Sequence, residues 1–229
     1  MRKSRTRLLL AAAVALLAVT GCKGGDPSSQ DQTAAERIAE AKQSFDDADF
    51  IEFTLATTDL PSDVEGLITA KGTGTHDPAF AGEVKVHTGI DLTAPLIAID
   101  DIVYVKLPFS SWSDIDPAGY GAPDPAGLMD TEAGISSLFT ATDGLEAGEE
   151  TREGSSVLTE IHGTIPGPDM VQVFPSSGDA DFDVTYTLSD DNDIAKITIT
   201  GPFYDGSDDV TYTIDLDLDG ASVDIEAPV

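Results

Sequence analysis

The chain has 229 residues, 41% of them apolar, with 12 Lys and Arg against 42 Asp and Glu, a net charge of −30. That length allows one domain with a substantial core, and the acidity excludes nucleic acid, anionic headgroups and acidic polymers as partners held by charge. A single cysteine leaves no intramolecular disulfide, so packing must supply the stability.

Arg2, Lys3, Arg5 and Arg7 precede an apolar run from Leu8 to Val19. The run is shorter than the ~18 residues a bilayer-spanning helix needs, and it reads as a cleavable export signal. Val19-Thr20-Gly21-Cys22 is similar to the lipobox of bacterial lipoproteins. That resemblance implies cleavage after Gly21, acyl chains on Cys22 and anchorage at the outer face of the plasma membrane, in the cell envelope. Two or three acyl chains hold a membrane durably where one does not. The expected organisation is a signal at 1–21, the lipidated cysteine and a tether at 22–32, and one folded domain at 33–229. The tether from Lys23 to Gln32 is polar and rich in Gly and Ser, reaching at most about 35 Å. Residues 22–229 keep eight of the 12 cations and all 42 acids, a net charge of −34.

Thr33-Ala34-Ala35-Glu36 is a capping box, and Ile38, Ala41, Phe45 and Ala48 follow at helical spacing. From Phe50 the period shifts toward two. Strands are predicted at 51–57, 65–75, 81–88, 96–99 and 102–107, with a tight hairpin at Asp100-Asp101. Residues 108–144 are the least sheet-like. Asp124-Pro125 is a helix-start signal, a second start falls at Asp130, and Gly144 is placed to end the element in a left-handed turn. A short helix is predicted at 168–174, and further strands at 157–164, 182–188, 194–200, 209–217 and 221–225. Strands joined by short turns give an α+β chain with one antiparallel sheet. One face is dry and covered by the helices, the other acidic and wet.

Motifs for chemistry are weak. Asp215, Asp217, Asp219, Gly220 and Glu226 satisfy the spacing of a calcium loop, but the approach is strand-like and no exit helix fits in the three residues after Glu226. The reading is a strand with wet acids. His76, His87 and His162 have no partner at ligand spacing and read as surface or edge residues. Ser110, Ser111 and Ser113 lie near Trp112 without a Gly-x-Ser-x-Gly elbow. No catalytic residue, metal or cofactor is assigned, and the chain is read as a non-enzyme.

One stretch carries a wider resemblance: Tyr104-Val-Lys-Leu-Pro-Phe-Ser-Ser-Trp112-Ser-Asp-Ile-Asp-Pro117-Ala, then Pro123-Asp-Pro125-Ala-Gly-Leu128. Leu60-Pro61, Gly82-Glu-Val84-Lys-Val86 and Gly134-Ile135-Ser-Ser-Leu138 add to it. With these the chain resembles the LppX/LprA/LprF/LprG family of actinobacterial cell-envelope lipoproteins. The resemblance implies a sheet bent into a half-barrel, helices on its concave side, and an apolar cavity between them. It also implies a carrier of the acyl chains of glycolipids, lipoglycans or phospholipids, with a membrane transporter as a further partner. On that basis the cavity wall is expected at Val84, Val86, Ile97, Ile99, Val103, Val105, Leu107, Leu128, Ile135, Leu138 and Phe139. Trp112 is placed to gate the opening or to anchor its loop. The alternative is an adaptor lipoprotein that docks an envelope transporter or enzyme and carries nothing.

Overall fold

The computed structural model describes residues 32–228, apart from 121 and 155. The export signal, Cys22 and nearly all of the tether lie outside the described residues. The chain then enters helix α1 (Ala34–Asp47) through the expected capping box. Thr33 donates its backbone N–H and its hydroxyl to the Glu36 carboxylate, both at 2.8 Å, and holds that carboxyl below its ordinary value. Ile38, Ala41 and Phe45 form the buried stripe, and the helix stops at Ala48, whose backbone is extended.

The strands are β1 (Ile51–Ala56), β2 (Gly66–Thr75), β3 (Ala79–His87), β4 (Asp91–Ile99), β5 (Ile102–Val105) and β6 (Ser113–Ile115), then β7 (Asp143–Glu153), β8 (Ser156–Ile165), β9 (Phe182–Leu188), β10 (Ile194–Gly201) and β11 (Val210–Asp217). Among the described residues, two short helices, α2 (Ile135–Ala141) and α3 (Gly167–Val173), complete the regular elements beside two 3-10 turns. All eleven strands form one sheet in the order β6-β5-β4-β3-β2-β1-β11-β10-β9-β8-β7. Every pairing is antiparallel. Two meanders, β1–β6 and β7–β11, are thus welded by the pairing of β1 with β11, where Phe53 faces Leu216 and Leu55 faces Ile214. Asp100 and Asp101 both take positive φ, 54° and 60°, as a two-residue hairpin turn requires.

The structure departs from the sequence expectation at several places: β6 forms inside the stretch expected to be least sheet-like, and the helix starts expected at Asp124 and Asp130 yield only the 3-10 turn Gly127–Met129, with α2 beginning at Ile135. Strand β4 begins at Asp91, five residues before the expected start, because Pro95 is tolerated inside it. The Pro95 carbonyl accepts from Lys106 N–H at 3.1 Å, so its missing donor faces the residue just past the end of β5 and breaks no ladder bond within the strand. Strand β7, DGLEAGEETRE, carries almost no alternation, and it survives as a charged edge of the sheet. Gly144 lies in this strand with φ of 66°, at a register shift, while α2 ends earlier, at Ala141, with Thr142 as its cap. Finally, residues 221–225 form no strand. Both sides of β11 are occupied by β1 and β10, so a hairpin partner after Asp219-Gly220 has no edge to join.

Helices α1, α2 and α3 lie on one face, where they bury an aromatic core. Phe139 stacks on Tyr186 at 5.2 Å and meets Phe45 at 6.0 Å, while Phe203 sits edge-on to Phe174, Phe182 and Tyr212 within 5.2 Å. Such pairs each contribute about 0.5–1.5 kcal/mol beyond the area they bury. Arg37 of α1 reaches into the β9–β10 turn, donating to Asn192 Oδ1 at 2.6 Å and to the Ser189 carbonyl at 3.0 Å. Among the described residues no helix is long and apolar enough to cross a membrane.

Candidate functional site

The dry face continues from the aromatic core onto β2–β6, and there its filling changes. Cross-strand pairing sets three rows of side chains on that face: Leu67, Val86 and Leu92; Ala70, Val84 and Ala94; and Gly72, Gly82, Leu96, Val105 and Ser113. The middle row has an alanine on each side of Val84, and the third opens on two facing glycines. A side chain at Gly72 or Gly82 would collide with the Phe80 ring, which occupies that space itself. The glycines therefore make room for Phe80, the alanines beside Val84 keep the floor low, and none of the described helices fills the space above.

The result is an apolar groove of about 250 Å³. Its floor is Leu67, Ala70, Val84, Val86, Leu92, Ala94, Leu96 and Val105, and its wall is Leu107, Ser113, Ile115, Pro117, Tyr120, Ala122, Pro123, Pro125 and Leu128. The wall is the segment between β5 and α2, whose prolines and 3-10 turns stop it from packing down as a regular helix. Asp124 caps its own turn by accepting from Ala126 N–H at 3.0 Å. Only the hydroxyls of Ser113 and Tyr120 bring side-chain polarity to the lining.

Two buried devices hold this shape. The β2–β3 register shifts between Leu67 and Thr69, so the ladder there is irregular. Two tyrosines serve the Leu67 backbone instead: its N–H donates to Tyr204 Oη at 2.9 Å, and its carbonyl accepts from the Tyr212 hydroxyl. The hydroxyls of the two tyrosines are themselves 2.7 Å apart. Burial pushes both phenols above their ordinary value, Tyr212 further because Tyr204 stands against it. On the other side, His76 is partly buried, not a surface or edge residue. Its ring nitrogens lie 2.6 and 2.7 Å from the carbonyl oxygens of Met129 and Phe45, and so join the turn beside Leu128 to the last turn of α1.

Of the residues expected to form a cavity wall, Val84, Val86, Val105, Leu107 and Leu128 line this groove. Val103 shares their face but is buried one row deeper, opposite Ala98. Ile97 and Ile99 belong to the other face of β4, because the inward phase is Leu92, Ala94, Leu96 and Ala98. Two alanines among the inward residues made the outward isoleucines look like the dry set. Ile135, Leu138 and Phe139 are almost wholly buried in the aromatic core and contribute nothing to the groove. Leu67 and Ala70 of β2 and Leu92, Ala94 and Leu96 of β4 were missed, and for the last three the signal was strict alternation along β4 through Pro95.

Elsewhere polar side chains group locally: Lys42, Asp46 and Ser136 hydrogen-bond one another between α1 and α2, and Lys85 and His87 hold Asp91. The acids of the calcium-like spacing stay apart on β11 and its turn, where Asp215 pairs with Lys196 at 3.3 Å. Among the described residues no three His, Cys, Asp or Glu gather as metal ligands. Ser110 Oγ donates to the Leu107 carbonyl at 3.0 Å and serves its own turn.

A single antiparallel sheet carrying three helices and an apolar groove on the same face defines an α+β fold built around apolar contact. The fold matches that of LprF from Mycobacterium bovis, with a TM-score of 0.70, 15% identity and coverage of 88% of this chain and 98% of that one. The Mycobacterium tuberculosis lipoprotein LppX matches with a TM-score of 0.62 and 16% identity, over 84% of this chain and 98% of its own. By sequence, residues 33–226 match the LppX_LprAFG lipoprotein family, and the chain belongs to it. Among curated relatives, the lipoarabinomannan carrier protein LprG of M. tuberculosis and of M. bovis is 27% identical over 180 residues, 75% of this chain and 73% of theirs.

Proposed function

We propose that this protein is a membrane-anchored lipid carrier whose groove takes the acyl chains of a glycolipid, lipoglycan or phospholipid and assists their passage through the cell envelope. In this reading the sheet is a half-barrel, its concave face is shared by the helices and the groove, residues 1–21 are an export signal, and acylated Cys22 holds the domain at the outer face of the plasma membrane. The observation that carries the reading is the groove itself: about 250 Å³ lined by aliphatic, alanine and proline side chains with two hydroxyls. A lipid tail needs many interchangeable apolar contacts, at about 0.8 kcal/mol per buried methylene, and no exact polar partner. The volume falls below the ~300–1,000 Å³ of pockets that enclose whole drug-sized ligands, so the groove holds tail segments and leaves a sugar headgroup outside. Kinship with a family that includes a lipoarabinomannan carrier supports a glycolipid as cargo.

The test is native mass spectrometry of the protein purified from a host that makes glycolipids. Bound lipid is expected in the wild type and lost in Val84→Trp and Ala94→Phe, which place bulk on the groove floor. A wild type without lipid, or equal lipid in all three, would reject the assignment. In that case a membrane transporter or enzyme recovered equally by wild-type and groove-filled protein would mark an adaptor.

A further inference from the structure

The mouth of the groove has apolar side chains that the groove does not use. Leu96 pairs with Val105, and Lys106 N–H bonds to the Pro95 carbonyl, so the chain after β5 runs on beside the first half of β4 toward the β3–β4 hairpin. The loop and the hairpin tip therefore emerge at one end of the groove, next to Leu92, Val86 and Leu107. At the tip stands Ile90, 71% exposed, beyond Gly89 with φ of 81°. On the loop stands Phe109, 110% exposed. Its φ of 66° is one that bulky residues rarely take, and Ser110 closes the turn by donating N–H and hydroxyl to the Leu107 carbonyl. A backbone held in this conformation to point a phenyl ring at solvent reads as a functional device.

Charge at this rim departs from the rest of the chain. Residues 84–99 and 102–113 contain Lys85, His87 and Lys106, and only one of the 42 acids, Asp91. That acid is bound by Lys85 at 2.8 Å and by His87 at 2.9 Å. Nearby, Asp114 lies on the opposite face of β6 from the groove-lining Ser113 and Ile115, and Asp116 accepts from Ala118 N–H. Lys106 Nζ stands 6.0 Å from the centre of the Trp112 ring, a pairing suited to a polar and apolar boundary. In a chain of net charge −30, this apolar edge is where acidity has been removed.

We infer that Ile90, Phe109 and Trp112 form a docking edge that seats the groove mouth on the bilayer surface, so that a lipid tail passes from membrane to groove without crossing water. This rests on the groove being an acyl site. The occupant is a lipid surface because the edge combines isolated apolar tips with a tryptophan beside the Lys106 cation, the composition of interfacial insertion.

Trp112 is the chain's single tryptophan, so its emission reports on this edge alone. The full chain, isolated from membranes in detergent and reconstituted into phosphatidylcholine vesicles with brominated acyl chains, is expected to lose much of its emission relative to unbrominated vesicles. The double variant Ile90→Asp with Phe109→Asp is expected to regain it while remaining on the vesicles. Equal emission from the wild type in both vesicles overturns the inference. So does quenching that persists in the double variant, which would arise from lipid inside the groove, and so does a change that follows protein density and not bromine, which would place a second copy on the edge. Native mass spectrometry of the same samples keeps the two claims apart: lipid in the groove without quenching rejects only the docking edge, and quenching without bound lipid rejects only the carrier.

Discussion

The two halves of the sheet share one dry face and treat it in opposite ways. Over β7–β11 the face is covered by α1, α2 and α3 and filled by rings, with Phe45, Phe139, Tyr186, Phe203 and Tyr212 all under 4% exposed. Over β2–β6 the floor is alanine, valine and leucine, and the cover is a proline-punctuated segment that spans the space without filling it. A groove therefore needs no special lining chemistry. It needs small residues below and an irregular chain above, beside a half that is packed well enough to stabilise both. Because protein interiors are otherwise close-packed, the unfilled half depends on the filled one.

That contrast can be broken from either side. The largest expected effect is Phe139→Ala in the filled half, which empties a site between two rings and costs about 3–5 kcal/mol. Val84→Ala in the groove removes a partly buried side chain that already borders open space, and costs less than about 1.5 kcal/mol. Urea unfolding of the two variants compares them directly, and equal losses would mean that the groove half is as tightly filled as the aromatic half.

Next in size is Tyr212→Phe. It leaves the Leu67 carbonyl without its donor, at a cost of about 1–3 kcal/mol, and it releases a groove-lining residue. Thermal unfolding and lipid occupancy should both fall, whereas a change in stability alone would separate the tyrosine pair from the groove. The phenols of Tyr186, Tyr204 and Tyr212 are all raised, chiefly by burial. The unfolded chain ionises its tyrosines near pH 10 while the folded chain keeps these three neutral. The stability they contribute is therefore full below about pH 10 and is lost as pH rises beyond it toward their folded values. A denaturant midpoint unchanged between pH 9 and 11 would contradict that burial. The smallest stability effect is expected from Ala94→Phe, where a ring enters existing space, although lipid binding should be lost.

Much of the filled half was legible in the sequence. Thr33 and Glu36 announced α1, Phe182, Val184, Tyr186 and Leu188 announced β9, and Asp100-Asp101 announced a hairpin, because each signal is carried by neighbours in the chain. The groove half was legible only in part. Val84, Val86, Val105 and Leu107 followed from alternation, but β4 did not, since alanines stand at its inward positions and isoleucines at two outward ones. Strand β7 was hidden for a related reason: an edge strand of acids and glycines has no dry face to betray it.

By itself the sequence determined the class of the molecule: one antiparallel sheet, with helices over its dry face and acids on its wet face. Local capping, turn and alternation rules act over a few residues, and they suffice for that much. Only the tertiary structure decided that Phe139 belongs to a packed core while Leu128, eleven residues earlier, borders a groove. It also decided that Ile97 faces away from the space Leu96 lines, and that residues 221–225 find no strand to join. Those outcomes depend on which strands flank which and on what volume remains above them, and volume is a property of the assembled fold.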